Sequence, residues 1–299
     1  MKEADEFPIA LKLALQDTID EYKHAKYLES DPILFPSRFK NPFDIEVIAL
    51  FSCLYAYGNV KAIKSFLNPL LLALGPSPYR SLTKDNFAVE QIASKIGYYR
   101  FQSAEDNALL LLSISNIVKH HFKTKSIEPI FESYFLNDSG TFEPELGISS
   151  FQRQIEASIL NISNQNKLTR GLRFLIGDPG SKSAKKRICL FLRWMVRKDF
   201  PDFGIYSRIY TKDISFPLDV HIQRLIKILG ISNRKSFGMR ESILVRDFFR
   251  KLNEDDPLLY DFYLTRVGMI QKCRGVKIDS ICEPCSLKKI CLIGSATGN

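Results

Sequence analysis

No stretch of this sequence stays apolar for long. The longest apolar runs, such as "VIALFSCLYAY" at 47–57, fall far short of the roughly 20 residues that span a bilayer. The opening "MKEADEFPIALKLALQDTIDEYK" interleaves acids with its apolar positions, as a secretory signal does not. A membrane partner and an export signal are excluded on this reading, and a cytoplasmic, nucleoid-associated location is expected. Strict alternation of apolar and polar residues is scarce, which argues against sheets, and there is no internal repeat or low-complexity tract. Cysteine is sparse, with six in 299 residues.

What is present is charge and helical periodicity. At 45% hydrophobic residues the chain can bury a substantial core as one large or two closely packed domains. Forty-two Lys and Arg against 33 Asp and Glu give a net charge of +9, which favours polyanionic partners, although a mild excess also serves solubility alone. Residues 43–74, 104–122, 184–200 and 217–230 carry apolar side chains at three- and four-residue spacing, which predicts a mainly α protein. Breaks are expected at 76–78, 135–147 and 177–183, where Gly, Pro, Asn, Asp and Ser concentrate.

Three segments carry chemistry. In "LIGDPGSKSAKKRICLFLRWMVRK", 175–198, a Gly/Pro turn feeds an amphipathic helix. Ile188, Phe191, Leu192 and Met195 form one face, and Lys186, Arg193 and Arg197 another. Lys182, Lys185 and Arg187 crowd the helix start, where free N–H groups and the positive dipole end suit a phosphate. A solvated basic face is the plain alternative. A P-loop is excluded, because Lys182 stands where its second Gly should be.

In "SFPLDVHIQRLIKILG", 215–230, Pro217 suits the first helical position, and Leu218, Ile222, Leu225, Ile226 and Leu229 form a buried stripe that Gly230 ends. Asp219 is then expected in the first turn, as a cap or as a fixed anion of a site. His221 is read as a hydrogen-bonding or core histidine.

The third segment is "CRGVKIDSICEPCSLKKIC", which places Cys273, Cys282, Cys285 and Cys291 within nineteen residues. Cys53 and Cys189 sit in apolar stretches and read as small hydrophobes. In a reducing compartment the four clustered thiols read as metal or iron–sulfur ligands before disulfides. Both chemistries accept four thiolates, but zinc ribbons usually present two C-x-x-C pairs and this segment has one, Cys282 with Cys285.

Taken together, "GDPGSKSAKKR", "PLDVHIQR" and the four cysteines, in that order, resemble the helix-hairpin-helix DNA glycosylase superfamily, in particular its iron–sulfur, endonuclease III-like members. The pattern "GS…AKKR…FLRWMVR…PLDVHIQRL…DPLLYDFYLTRVG" looks still more like a bacterial family of unknown function, a divergent branch of that superfamily. "NPFDIEVIALFSCLYAYGNV" matches the early helix of the same family, so the likeness runs from about residue 30 to the end. The sequence departs from the endonuclease III pattern in lacking "L-P-G-V-G", in a longer Lys–Asp interval, in an eight-residue first cysteine gap, and in having no glutamine to match in "SCLYAYG".

The resemblance implies an all-α, two-lobed fold with a C-terminal iron–sulfur loop. A helical barrel with its hairpin would cover 42–215, and 1–41 with 216–299 would form the cluster-bearing lobe. It implies a base-excision DNA glycosylase with AP-lyase capacity, acting as a monomer on damaged double-stranded DNA. Asp219 matches the catalytic Asp, and Lys186 the nucleophilic Lys, with Lys185 as its rival. The four cysteines would hold a [4Fe-4S] cluster, zinc being the alternative. Gly177, Gly180, Ser181, Lys182, Lys185 and Arg187 at the hairpin, and Arg274, Lys277, Lys288 and Lys289 in the cysteine loop, would contact phosphates. The chemistry is coherent in its own terms. A fixed carboxylate stabilises positive charge on a sugar losing its base, and a neutral lysine amine attacks C1′ to form a Schiff base. The alternative is a non-catalytic DNA- or RNA-binding protein that keeps the fold and the cluster.

Overall fold

A computed structural model describes residues 3–120, 126–132 and 143–295. The expected mainly α architecture holds. Fourteen α-helices are present among the described residues, with no strand and only two isolated bridges, Tyr99 with Gln102 and Ser183 with Gly238. In chain order the helices are α1 (Glu3–Tyr22), α2 (Pro42–Leu54), α3 (Val60–Leu74), α4 (Pro78–Leu82), α5 (Asn86–Ala93), α6 (Ala104–His120) and α7 (Glu128–Glu132). There follow α8 (Pro144–Ser163), α9 (Arg170–Ile176), α10 (Lys186–Val196), α11 (Val220–Ile228), α12 (Met239–Arg250), α13 (Leu259–Met269) and α14 (Asp279–Cys282). None is long and apolar enough to cross a membrane among the described residues. Of the break expected at 135–147, residues 135–142 lie outside the described residues, as do 121–122 of the run at 104–122.

Local chemistry sets the helix starts. Asn41 accepts the amide of Phe43 at 2.9 Å ahead of Pro42, whose ring suits the first turn of α2. Asn59 accepts the amide of Ala62 to open α3, and Thr169 that of Leu172 to open α9. The apolar faces so aligned pack α6 on α8, α2 on α10 and α11 on α13. α1 lies against α13 and the turn at Lys288–Ile290, where Thr18 and Ser286 share a hydrogen bond of 2.7 Å. Buried apolar side chains form one contiguous cluster from Leu11 to Leu287.

α10 departs from its expected amphipathic form. Its apolar residues are buried, but so are Arg193 and Arg197, each only 2% exposed. Neither presents a basic face to a phosphate. Arg193 donates to Asp202 at 3.0 Å and to Asp261, while Arg197 reaches Asp202 at 3.1 Å and Asp256 at 2.8 Å. Three carboxylates therefore share two guanidiniums in a dry setting. Burial, with the nearby charge of Asp219 adding to it, outweighs the pull of Arg193 and pushes Asp261 up to about 7.

Candidate active site

The turn that ends α9 brings the chain back into α10. Gly177 has φ +82, and a Cβ there would strike the Gln152 amide, so the turn needs glycine. Lys185 takes the left-handed conformation as the residue before α10, with φ +46, and is buried. Its Nζ donates to Gln152 Oε1 (2.8 Å), the Pro179 carbonyl (3.0 Å), Ser149 Oγ (3.1 Å) and the Asp178 carbonyl (3.2 Å). Burial lowers its pKa, against the opposing charges of Glu145 and Asp178. Lys185 is thus the peg that holds the turn. Lys186 is the first residue of α10, half-buried, and no side chain caps that helix end.

α11 begins three residues later than Pro217 suggests, because Asp219 is its cap. Asp219 Oδ1 accepts the amides of His221 at 2.9 Å and Ile222 at 2.7 Å, and Oδ2 accepts no hydrogen bond among the described residues. The expected stripe is buried and Gly230, at φ +69, follows the helix. His221 packs on the backbone of α13 so closely that a Cβ on Gly268 would lie 2.6 Å from its ring. Its Nδ1 is buried without a hydrogen-bond partner among the described residues. Burial, aided by Arg224 and Lys186, holds the imidazole below its usual range against the pull of Asp219.

These residues meet at one cavity of about 590 Å³, lined by Lys186 and Asp219 together with His221, Asp261 and Arg193. Tyr57 and Gly58, beyond the end of α2, and Asp31 from the segment before it also reach its wall. Asp31 pairs with the wholly buried Arg266 at 2.7 Å, which more than offsets the cost of burying the carboxylate and holds its pKa low.

The rest of the expected phosphate site is arranged differently. The amide of Gly177 donates to Arg173, that of Gly180 to Asp178 Oδ1 at 2.9 Å, and that of Ser181 to the Asp178 carbonyl. An internal carboxylate thus takes the donor that a phosphate would use at Gly180. Lys182 is exposed, and its carbonyl accepts the amide of Met239, tying the turn to the start of α12. Arg187 turns inward to the carbonyls of Leu54, at 3.0 Å, and Phe174. What remains open to an anion here is the uncapped start of α10, with Lys186 on it.

Residues 31–270 match the family model described as a protein of unknown function, DUF2400. The chain belongs to the DUF2400 family. No curated protein and no solved structure matches it. The DUF2400 match contains Lys185, Lys186 and Asp219 and stops short of Cys273.

Beyond that match the four cysteines, all free thiols, line one small cavity of about 20 Å³ walled by apolar atoms, with Leu225 and Val267 among its lining. Burial raises the pKa of Cys285, and the neighbouring thiols add to this against the Leu287 amide. The Gly294 amide points at Cys291 Sγ at 3.4 Å. By donor type alone, four thiols suit a soft metal or an iron–sulfur cluster. Among the described residues, no three His, Cys, Asp or Glu side chains are arranged to hold a single metal ion. Arg274, Lys277 and Lys289 of this loop are exposed, whereas Lys288 pairs with Glu283 at 2.6 Å. Cys53 and Cys189 are fully buried, as their apolar settings imply.

Several cavity residues carry no sequence signal. Asp261 and Arg193 reveal themselves only as a pair 68 residues apart, and Gln152 only through Lys185. The aromatics and Arg of "YYRFQ", 98–102, are a local pattern that could have marked an exposed surface.

Proposed function

We propose that this protein is a base-excision DNA glycosylase with an associated strand-nicking lyase activity, acting on damaged double-stranded DNA. The observation that carries the reading is that Lys186 and Asp219, which open two different helices, line one cavity of about 590 Å³. That volume lies inside the roughly 300–1,000 Å³ of small-ligand pockets and admits an extruded nucleotide. The lone pair of Lys186 Nζ attacks the sugar C1′ as the C1′–N bond breaks. The bond's electron pair leaves with the base, which takes up a proton. The attacking nitrogen gives up a proton, its lone pair forms the C=N bond of a Schiff base as C1′–O4′ breaks and O4′ takes up a proton, and loss of a C2′ proton then expels the 3′ phosphate. Asp219, fixed through Oδ1, supplies the negative charge that stabilises the oxocarbenium-like sugar. Lys185 is unsuited to the attack, since its Nζ is tied into the turn by four polar contacts.

The reading includes a [4Fe-4S] cluster on Cys273, Cys282, Cys285 and Cys291, with zinc as the alternative. Four thiols on one apolar cavity support it. When bound, the group would serve structure, pinning the loop that carries Arg274, Lys277 and Lys289 near a phosphate backbone.

A second reading, a non-catalytic DNA- or RNA-binding protein, is favoured by Asp219, whose capping bonds account for it without chemistry. The deciding experiment is a panel of duplexes carrying single lesions, assayed for base release and strand cleavage. Product from any lesion, lost in Asp219→Asn, supports the enzyme. Binding without product across the panel supports the second reading.

A further inference from the structure

Between α5 and α6 the chain makes a tight turn at Tyr99–Gln102, closed by two reciprocal backbone hydrogen bonds of 3.0 and 2.9 Å. Its two tip residues are Arg100 and Phe101. Arg100 has φ +51, a conformation that favours glycine, yet carries a long cationic side chain, and Phe101 is 58% exposed. Such a tip needs support, and it has it. The Tyr99 hydroxyl donates to the Tyr57 carbonyl at 2.5 Å, Gln102 Nε2 donates to the Gly171 carbonyl at 2.8 Å, and the Tyr57 hydroxyl donates to Gln102 Oε1. Two glycines make room for it. A Cβ on Gly58 would lie 2.8 Å from the Arg100 guanidinium, and one on Gly171 2.6 Å from the Phe101 carbonyl.

The tip stands beside the cavity. Phe101 lies parallel to Tyr57 at 6.3 Å and edge-on to Phe174 at 4.9 Å, and both partners line the cavity wall. Two guanidiniums cover the rings, Arg100 over Tyr57 and Phe101 and Arg187 over Tyr57 and Phe174, at 5.2 to 5.8 Å. Neither arginine pairs with a carboxylate among the described residues. An exposed, anchored aromatic surface with the exposed, carboxylate-free guanidinium of Arg100 beside it suits a partner that brings planar rings on an anionic chain. A second copy of this chain, with net charge +9, is the poorer fit.

We propose that Phe101, with Arg100, is a stacking platform for an unpaired nucleobase next to the nucleotide held in the cavity, so that the protein prefers locally opened or single-stranded nucleic acid to intact duplex. The proposal rests on the functional reading above and narrows its substrate to nucleic acid that is locally opened around the nucleotide in the cavity. Stacking is sequence-tolerant, because every base has a π face. A partner base held on Phe101 also offsets part of the cost of keeping the strand open.

The test uses the full chain and oligonucleotides carrying 2-aminopurine, either in a short unpaired bubble or fully paired. The wild type is expected to bind the bubble more tightly and to quench the probe. Phe101→Ala is expected to weaken bubble binding between about five-fold and a hundred-fold and to abolish quenching. Paired duplex should be bound as before, and Phe101→Trp should restore both signals. Because Phe101 is exposed, an unchanged melting temperature is the control for folding. Bubble affinity and quenching that survive Phe101→Ala overturn the platform even if the protein proves a glycosylase. Platform behaviour without base release from any lesion leaves the platform standing and removes the enzyme. A wild type that binds no oligonucleotide, or that self-associates through Phe101, overturns the proposal.

Discussion

Lys186 is the first residue of α10, Asp219 is the cap of α11, and the two helix starts open onto the same cavity. Each helix therefore directs its positive end, and the side chain at it, toward one space. That placement generates the expectations for both residues.

For Asp219, capping and catalysis separate by substitution. Asn keeps a side-chain oxygen for the His221 and Ile222 amides, so Asp219→Asn should leave the melting temperature nearly unchanged. Asp219→Ala should cost about 1 kcal/mol of stability by loss of the cap. Base release should fall about a hundred- to a thousand-fold in both variants, since both lose the charge. Activity that tracks stability, high in Asn and low in Ala, would reduce Asp219 to a cap.

The two lysines should behave oppositely. Lys186→Gln should abolish borohydride trapping of a protein–DNA adduct while leaving thermal stability intact. Lys185→Met should unfold at lower temperature, by about 1–3 kcal/mol, because buried Gln152 and Ser149 and two carbonyls lose their donor. Trapping that survives Lys186→Gln and depends on Lys185 would reverse the roles.

The cysteine site is checked by colour and metal content. Protein prepared without oxygen should be brown with close to four irons per chain, and Cys285→Ser should lower both the iron content and the stability of the C-terminal segment. Colourless protein with one zinc per chain would establish the alternative.

Two buried acids make stability depend on pH. Glu46, 2% exposed, accepts from Tyr206, Ser126 and the Ile127 amide but faces no cation among the described residues, and burial raises it to about 7, as it does Asp261. A carboxyl with a raised folded pKa binds its proton more tightly in the native state. Its contribution is therefore full below about pH 4 and is lost as pH rises through about 7. Thermal melts from pH 5 to 8 should show falling stability, and Glu46→Gln should flatten the slope. A slope unchanged in that variant would assign the dependence elsewhere.

The periodic segments were readable because helix packing follows from spacing of apolar residues within one stretch of chain. The buried stripe of α11 came out residue for residue, whereas its start did not, because Pro217 and Asp219 are both good starters and only the bonds of Asp219 decide between them. The basic face of α10 was misread for a different reason. Whether Arg193 and Arg197 face water or carboxylates depends on Asp202, Asp256 and Asp261, and no local pattern links an Arg to an Asp 68 residues on. The same holds for Lys185, whose neighbours in sequence are cations but whose neighbours in space are acceptors. The shared cavity of the four cysteines, by contrast, was visible as simple crowding in the chain.

The bond between Thr18 and Ser286 joins positions 268 residues apart. α1 is thus made well before its resting place on α13 and the Lys288–Ile290 turn. At bacterial or eukaryotic rates of synthesis, roughly ten seconds to a minute separates the two. For that interval the apolar side of α1, including Leu11 and Leu15, has no native surface to cover it. α1 therefore docks only after α13 and the Lys288–Ile290 turn have been made.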